Sequence, residues 1–370
     1  MNLDLTLIRD KAETPDSGLR TNLRPIDRND FPAIEQMFFN IFRPRRGTPD
    51  PEFIKYFERL YFSGPTGGGG GLASNDGETI GSAIAFMPLT YVVHDREVTA
   101  RLACAFMSKS PQSKAAARVV LSLRARGQDL LFTDSASPVS AGHWKAGGGV
   151  VLPVHSLDFQ CVFRPMSYAM WRVGVPKFFD GLWNTVDSLV SRRRARNQKI
   201  EAPADREIDL ESYAALAPKM IAHFSVRPKW DRAEIEWLLT MAKDNRTLGP
   251  LRFFSVDGAD GNPIGCYAYF SDARGMVRVL DMLALPGKEP AVARAMYRRL
   301  AAEGTIEARG SAHPHLLTAL SPLSGMRFRH RAFTCVATRH QDILDAVARN
   351  DIYIGGLAGE SWSRLMTDFY

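Results

Sequence analysis

Two stretches of this 370-residue chain read alike: Arg24-Pro-Ile-Asp27 followed by Phe31, and Arg206-Glu-Ile-Asp209 followed by Tyr213, 182 residues later. A second ordered set recurs at a spacing of 184 residues, in which Gly77, Ile80, Gly81 and Phe86 return as Gly261, Ile264, Gly265 and Phe270. An ordered series at nearly constant spacing indicates an internal duplication. The length agrees, since domains commonly hold about 100–200 residues.

The pattern of apolar residues gives both copies the same order of elements. Apolar spacing of 3–4 residues predicts two helices after the opening strand, over 31–42 and 53–61 in the first copy and 213–224 and 235–239 in the second. Three strands, a helix and another strand follow in each copy. In the first copy these are 79–86, 89–93, 98–107, 112–126 and 129–133; in the second, 251–256, 264–270, 276–285, 290–303 and 315–320. The order predicts mixed α/β architecture with a central splayed sheet in each copy.

The composition, with 45% apolar and 24% charged residues, is that of a soluble globular protein. Every apolar run is interrupted well before the roughly 20 residues that span a bilayer, which excludes a transmembrane segment. Residues 1–17 lack the apolar centre of a secretory signal, so we expect a cytoplasmic protein. The four cysteines are far apart and have no Cys/His ligand spacing, so we expect no metal site.

The charge is concentrated in one place. The formal net charge is +7, and +4 of it lies between Ser191 and Arg206, in the join between the two copies. A strongly basic protein raises nucleic acid as a partner, but an excess confined to a join is typical of a basic linker helix. We therefore expect a linker over 178–205 and no nucleic-acid partner.

The first strand and helix resemble those of the GCN5-related N-acetyltransferase (GNAT) superfamily. Members open with the pattern R-x-[AI]-x-x-x-D-x-x-x-[IL], matched here by Arg24, Ile26, Asp30 and Ile34. The resemblance covers about 20–165 and 205–340 and implies two tandem domains, at 21–177 and 206–370, after an N-terminal extension over 1–20. It also implies an acyl-CoA-dependent N-acyltransferase.

The resemblance extends to the loop that holds the pyrophosphate of acyl-CoA, [QR]-x-x-G-x-[GA], at a helix N-terminus where unpaired amides and the helix dipole favour anions. Gln112 and Ala117 match this pattern, whereas Ala115 replaces the central glycine. The second copy lacks the pattern after Leu285, so the first copy is expected to bind acetyl-CoA or another acyl-CoA. The resemblance implies a set of contacts: Phe106, Met107, Ser108, Gln112, Ser113, Lys114, Ala115, Ala116 and Ala117.

Three residues are candidates for proton transfer. His143 stands where many family members have a Tyr that acts as the general acid. A histidine of near-neutral pKa can act as acid or base. The alternative is that His143 caps the end of the helix. His155 is a second candidate base, with a surface position as its alternative. Asp281 falls where the family often places a fourth-strand carboxylate, or it is a solvated strand residue.

These observations predict transfer of an acyl group to a primary amine of a small molecule, an amino sugar or a peptide. Two alternatives stay open. One is a FemABX-like aminoacyl or peptidyl transferase, in which the basic residues of the join would contact RNA. The other is a pair of degenerate domains that act as a sensor or scaffold, suggested by the missing glycine and the absent tyrosine. The sequence does not choose the amine, the acyl length or the oligomeric state.

Overall fold

A computed structural model of the chain describes residues 22–44, 50–67, 69–110, 113–125, 128–173, 187 and 203–369. The N-terminal extension and most of the predicted linker lie outside these residues. None of the helices in the described part is long and apolar enough to cross a membrane.

The first unit begins with a strand and two helices, followed by the sheet. Its strands are β1 (Leu23–Pro25), β2 (Gly70–Asp76), β3 (Thr79–Val93), β4 (Arg96–Ser108), β5 (Leu130–Ala136), β6 (Val150–Leu152) and β7 (Leu157–Val162). Its helices are α1 (Phe31–Phe42), α2 (Phe53–Tyr61), α3 (Lys114–Leu121), α4 (Pro138–Ala146) and α5 (Pro165–Arg172).

The second unit repeats this order with one added strand, β9. Its strands are β8 (Asp205–Ile208), β9 (Val226–Pro228), β10 (Leu251–Asp257), β11 (Pro263–Ser271), β12 (Met276–Ala284), β13 (Glu307–Ser311), β14 (Met326–His330) and β15 (Phe333–Ala337). Its helices are α6 (Leu210–Met220), α7 (Arg232–Lys243), α8 (Glu289–Ala302), α9 (Leu317–Leu320) and α10 (Gln341–Ala348). The repeated order confirms the mixed α/β architecture predicted for both copies.

The two units exchange their last strands. The first sheet has the order β1-β2-β3-β4-β5-β15-β6, with β9 added beside the end of β3, and the second has the order β14-β7-β13-β12-β11-β10-β8. Strand β15 of the second unit thus lies between β5 and β6, and β7 of the first unit lies between β13 and β14. Separating the units would therefore break backbone ladders in both sheets.

The C-terminal tail, residues 351–369, returns from the second unit to the first. Its Phe369 ring packs 5.4 Å from Phe53 of α2, in a core that contains residues of both units. Its backbone is fixed as well, because the Tyr56 hydroxyl accepts a hydrogen bond from the amide of Arg364 and the Asn245 amide group donates to the carbonyl of Trp362. The tail is thus part of the interior of the molecule.

Two details of the predicted strands were wrong. The strands predicted over 79–86 and 89–93 are one continuous strand, β3, without a break at Pro88. Pro88 pairs with Arg101 of β4 on one side. On its other side it falls between the segments of β3 that pair with β2 and with β9, so no partner strand needs its missing N–H. The predicted strand 315–320 is a 3-10 turn followed by α9, and the strand is β13. Strand β13 was not predicted because polar residues alternate along it. The segment predicted as a strand begins a helical turn because Pro314 favours the first position of a helix.

Candidate functional site

The two parallel strands β4 and β5 diverge soon after they meet. They pair only from Ala100 to Leu102 against Leu130 to Phe132. Beyond this point β4 is bent by an irregularity beside Ala105, a non-glycine residue with φ 46°. Such a residue marks local backbone strain of the kind found at functional positions. The divergence leaves a gap that side chains of the sheet do not close.

A cavity of about 210 Å³ occupies this gap. Its walls come from both diverging strands, from α1 and α4, and from the C-terminal tail. The lining residues are Phe38, Phe42, Ile84, Ala103, Cys104, Ala105, Phe106, Leu123, Thr133, Ser135, Ala136, Ser137, Ser140, Trp144, Glu360, Leu365 and Met366. The wall is mostly apolar with one carboxyl group, Glu360, and a few hydroxyls, an arrangement typical of small-molecule sites.

The tail delivers Glu360 to the cavity and fixes it there. The Glu360 amide donates a hydrogen bond of 3.2 Å to Oδ1 of Asp134 on β5, and the Ser135 hydroxyl donates to Oε1 of Glu360. Gly359 allows this approach, because a Cβ there would lie 2.2 Å from Oδ2 of Asp134. The tail backbone and β5 therefore hold the carboxyl in one position.

The Glu360 carboxyl is suited to accept a proton. Its residue is only 2% exposed, and Oε2 is buried without a hydrogen-bond partner among the described residues. Burial and the neighbouring Asp134 carboxyl raise the pKa of Glu360 above the usual range of a glutamate. A raised carboxyl pKa brings the group closer to the optimum for a general base near neutral pH.

The predicted pyrophosphate loop lies where β4 leads into α3. Ser113 caps α3, its Oγ accepting from the amide of Ala116 at 3.1 Å, while the Ala117 amide donates to the Ser113 carbonyl. The amides of Lys114 and Ala115 are the first two of the helix and have no intrahelical acceptor. An anion at this end would meet these amides and the positive end of the helix dipole.

The remaining predicted contacts are Phe106, Met107, Ser108 and Gln112, and their positions differ. Phe106 lines the cavity, whereas Met107 pairs with Ala83 of β3 and is fully buried. Ser108 ends β4 and donates a hydrogen bond to the Ser110 carbonyl. Gln112 lies outside the described residues.

His143 lies on α4, close to the cavity but not among the residues that line it. Its ring is 6.4 Å from the ring of Phe106, and its Nδ1 is buried without a partner among the described residues. The carbonyl of His143 accepts from the amide of Gly147, which closes the helix end. Its role in proton transfer stays a prediction.

His155 and Asp281 lie together in a second buried cluster. The rings of His155 and His313 are 6.1 Å apart, His313 stacks 5.1 Å from Tyr353, and the Tyr353 hydroxyl donates to Oδ1 of Asp281. Burial lowers the pKa of His155 to about 4 and raises that of Asp281 to about 7. Neither residue lines the cavity that contains Glu360, and neither is exposed.

Glu360 was not among the residues predicted from the sequence. Its signal was the segment Gly355-Gly-Leu-Ala-Gly-Glu360, in which one acid follows three glycines inside an apolar stretch. A Cβ at Gly356 would lie 1.8 Å from Oδ1 of Asp281, so two of these glycines are places where the tail passes close to a buried carboxyl. No group of three or more His, Cys, Asp or Glu side chains in the described ranges could hold a metal ion.

Several solved structures of other proteins have a similar arrangement of strands and helices. A conserved protein from Enterococcus faecalis V583, described as a probable N-acyltransferase, superposes with a TM-score of 0.57 at 10% identity, over 88% of this chain and 74% of that one. A GCN5-related N-acetyltransferase from Anabaena variabilis ATCC 29413 gives 0.53 at 8% identity, over 88% and 74%. One from Kribbella flavida gives 0.51 at 12% identity, over 85% and 71%. The chain has the fold of GCN5-related N-acetyltransferases.

This likeness lies in the fold and not in the sequence. No family model and no curated protein matches the chain. The candidate site has three parts. They are the divergence of β4 and β5, the helix that starts after β4, and a buried carboxyl that the tail brings to the cavity.

Proposed function

We propose that the chain is an N-acyltransferase that uses acetyl-CoA or another acyl-CoA, with the active site in the first unit. The observation that carries the proposal is the cavity between β4 and β5, which combines apolar walls with the unpartnered carboxyl oxygen of Glu360. The GNAT fold of the chain and the N-terminus of α3 beside the same strand support it.

In the proposed reaction the thioester enters the gap between the diverging strands. The pyrophosphate meets the amides of Lys114 and Ala115, with the Lys114 side chain adding positive charge. The neutral amine of the acceptor attacks the thioester carbonyl, a C–N bond forms and the C–S bond breaks. Glu360 takes the proton from the attacking nitrogen, and the departing thiolate gains a proton to become the CoA thiol.

His143 is the proposed proton donor to the thiolate, because its ring lies 6.4 Å from the ring of Phe106, which lines the cavity. The first unit is the catalytic one in this proposal, and the second completes the site through the exchanged strand and the tail. Asp281 and His155 then serve the packing of the second unit.

Calorimetry with acetyl-CoA and a thiol-release assay on a panel of amines test the proposal. We expect binding by the full chain, with weaker binding by Lys114→Glu, which places a negative charge at the start of α3. Lys55→Glu changes the same charge on α2, away from the cavity, and is the matched control. Absence of acetyl-CoA binding at millimolar ligand, or equal binding by Lys114→Glu and the wild type, would contradict the acyl-CoA role. Binding without turnover on any amine would favour a sensor.

A further inference from the structure

A second cavity, of about 610 Å³, lies between the two units next to the one that contains Glu360. Four residues line both cavities: Ser135, Ala136, Ser137 and Met366. The Ser135 hydroxyl contacts Glu360, so the wall of the second cavity lies one residue away from the carboxyl. We call this second cavity the arginine cleft, because Arg278, Arg309 and Arg331 line it.

The second sheet explains why arginines gather there. In its register Arg278 of β12 lies opposite Arg309 of β13, and Arg309 lies opposite Gln160 of β7. Directly opposed residues point to the same face of a sheet. The other face packs against α8 and carries apolar residues such as Phe159 and Ala308. The exchanged strand β7 thus helps to build a polar face toward the first unit.

Three arginines and one carboxylate are among the residues that line the cleft, and each arginine has a carboxylate partner. Asp158 is the one carboxylate among its lining residues; it pairs with Arg278 at 3.0 Å and with Arg331 at 3.3 Å. Two further carboxylates touch these arginines, since Glu307 pairs with Arg309 and Asp134 with Arg331. Both are almost fully buried and neither lines the cleft.

The guanidinium groups keep unused donors. Arg309 donates from Nε to Glu307 at 2.8 Å and from Nη2 to the Tyr168 hydroxyl at 3.3 Å, and its side chain is 40% exposed, which leaves further N–H groups free. Nε of Arg331 is buried and has no well-formed hydrogen bond among the described residues, although Asp158 is near. A guanidinium presents five N–H donors in a planar fork that matches a carboxylate or a phosphate.

We propose that the arginine cleft binds the acceptor and that this acceptor is a primary amine carrying a carboxylate or phosphate group. The anionic group contacts Arg278 and Arg309, and the amine reaches Glu360 past Ser135. The inference rests on the proposed function for the fate of the amine, whereas the preference for an anion rests on the cleft alone. Because contacts to the anionic group are equally strong in the ground state and the transition state, they should lower KM and leave kcat unchanged.

Calorimetry without acyl-CoA tests the anion preference directly. The probes are two matched pairs, glucosamine 6-phosphate with glucosamine and serine with serinamide. We expect the phosphate or the carboxylate member to bind at least about tenfold more tightly than its partner, as a charge-assisted hydrogen bond allows. The pair that responds tells which anion the cleft prefers. Equal affinities within both pairs, or no binding of either anionic member at millimolar concentration, would overturn the proposal.

Variants locate the effect. Arg309→Gln should weaken the anionic ligand about tenfold or more and leave the neutral one unchanged. Arg278→Lys keeps a positive charge that can pair with Asp158 but loses the planar guanidinium fork. Its loss of affinity for the anionic ligand should therefore be smaller than that of Arg309→Gln. Arg274→Gln removes an exposed arginine in the turn between β11 and β12 that does not line the cleft, and it is the control. Equal binding by Arg309→Gln and Arg274→Gln would contradict the assignment.

Kinetics then separate this proposal from the enzymatic one. If the chain transfers acyl groups, Arg309→Gln should raise KM for the anionic amine about tenfold while kcat changes little. A preference for neutral amines in that assay would overturn the anionic acceptor while the acyltransferase stands. Failure to bind acetyl-CoA would contradict the acyltransferase, while calorimetry with the anionic amine would still report on the cleft.

Discussion

The two units contain the same strand divergence and fill it differently. Between β4 and β5 an open cavity remains, whereas between β12 and β13 the ring of Tyr353 from the tail lies against Asp281 on one strand and His313 beyond the other. The parallel pairing is equally short in both units, at three residue pairs each. The difference therefore comes from the tail and not from the sheets.

Each divergence also contains a buried carboxyl whose pKa is raised by burial. Asp281 has both oxygens satisfied, Oδ1 by the Tyr353 hydroxyl and Oδ2 by the Leu357 amide at 2.9 Å. Glu360 has one oxygen hydrogen-bonded to Ser135, and its other oxygen has no hydrogen-bond partner among the described residues, although the Cys104 thiol lies beside the carboxyl. A free acceptor at a cavity wall can bind an amine, whereas a saturated carboxyl holds the tail in place. Burial alone does not distinguish these two roles; the number of hydrogen bonds does.

The largest expected effect is on catalysis. Glu360→Gln should lower kcat about 10²–10⁴-fold, since that is the usual contribution of a general base, while Asp281→Asn should change kcat little. In the wild type, the pH profile of kcat/KM should show an ionisation at the raised pKa of Glu360, because the base must be deprotonated, in addition to the ionisation of the acceptor amine; Glu360→Gln should lose the first and keep the second. Thiol-release kinetics from pH 5 to 9 measure both effects. A fully active Glu360→Gln enzyme would remove the carboxyl from the mechanism.

The second effect is on stability, at the closest contact of the tail. Gly356→Ala places a Cβ 1.8 Å from Oδ1 of Asp281 at a residue with φ 56°, so we expect a loss of about 3 kcal/mol or more. Gly77→Ala is the control, since Gly77 has φ 65° and nothing within 4 Å; it should cost about 1 kcal/mol. Urea unfolding measures both. Equal losses would mean that the tail can shift away from Asp281.

A third effect concerns the Tyr353 hydroxyl, which donates a hydrogen bond to Oδ1 of Asp281. Tyr353→Phe keeps the ring between the strands and removes one donor, so a buried carboxyl oxygen loses its partner. We expect a loss of about 1–3 kcal/mol in the free energy of unfolding, with unchanged kcat. An unchanged stability would show that water or another donor replaces the hydroxyl, and a large loss of activity would connect the second divergence to the first.

The internal repeat in the sequence predicted most of the fold, because periodic apolar residues determine the order of helices and strands within each copy. The exchange of β7 and β15 could not be predicted from that repeat. Either strand fits either sheet in apolar pattern, and the choice depends on contacts between segments far apart in the chain. Strand β13 was missed for a related reason: Glu307, Arg309 and Ser311 face the polar side of the sheet.

The candidate site was only partly accessible from the sequence. The loop before α3 could be proposed from the sequence because it matches a local motif, and its role in binding acyl-CoA stays a prediction. Glu360 could not, since it reaches the cavity through contacts with Asp134 and Ser135, more than 220 positions away. The catalytic roles of His155 and Asp281 stay predictions without support in the lining of the cavity. His313 is buried and His315 is half-buried, with the ring of Tyr353 from the returning tail 5.1 Å and 6.4 Å from their rings.

The last effect tests the protonation state of Asp281. Its pKa is about 7 in the folded chain and about 3.9 when unfolded, so between these values the folded state binds the extra proton. Its contribution to stability is therefore present at acid pH and is lost as the pH rises toward 7, at no more than about 1.4 kcal/mol per pH unit. Asp281→Asn does not titrate. Urea unfolding at pH 5, 6, 7 and 8 should give a wild-type stability that falls relative to the variant up to pH 7 and then runs parallel to it. The buried histidines cancel in this difference because both proteins contain them, so a constant difference would mean that Asp281 stays ionised and that the tail hydrogen bonds outweigh its burial.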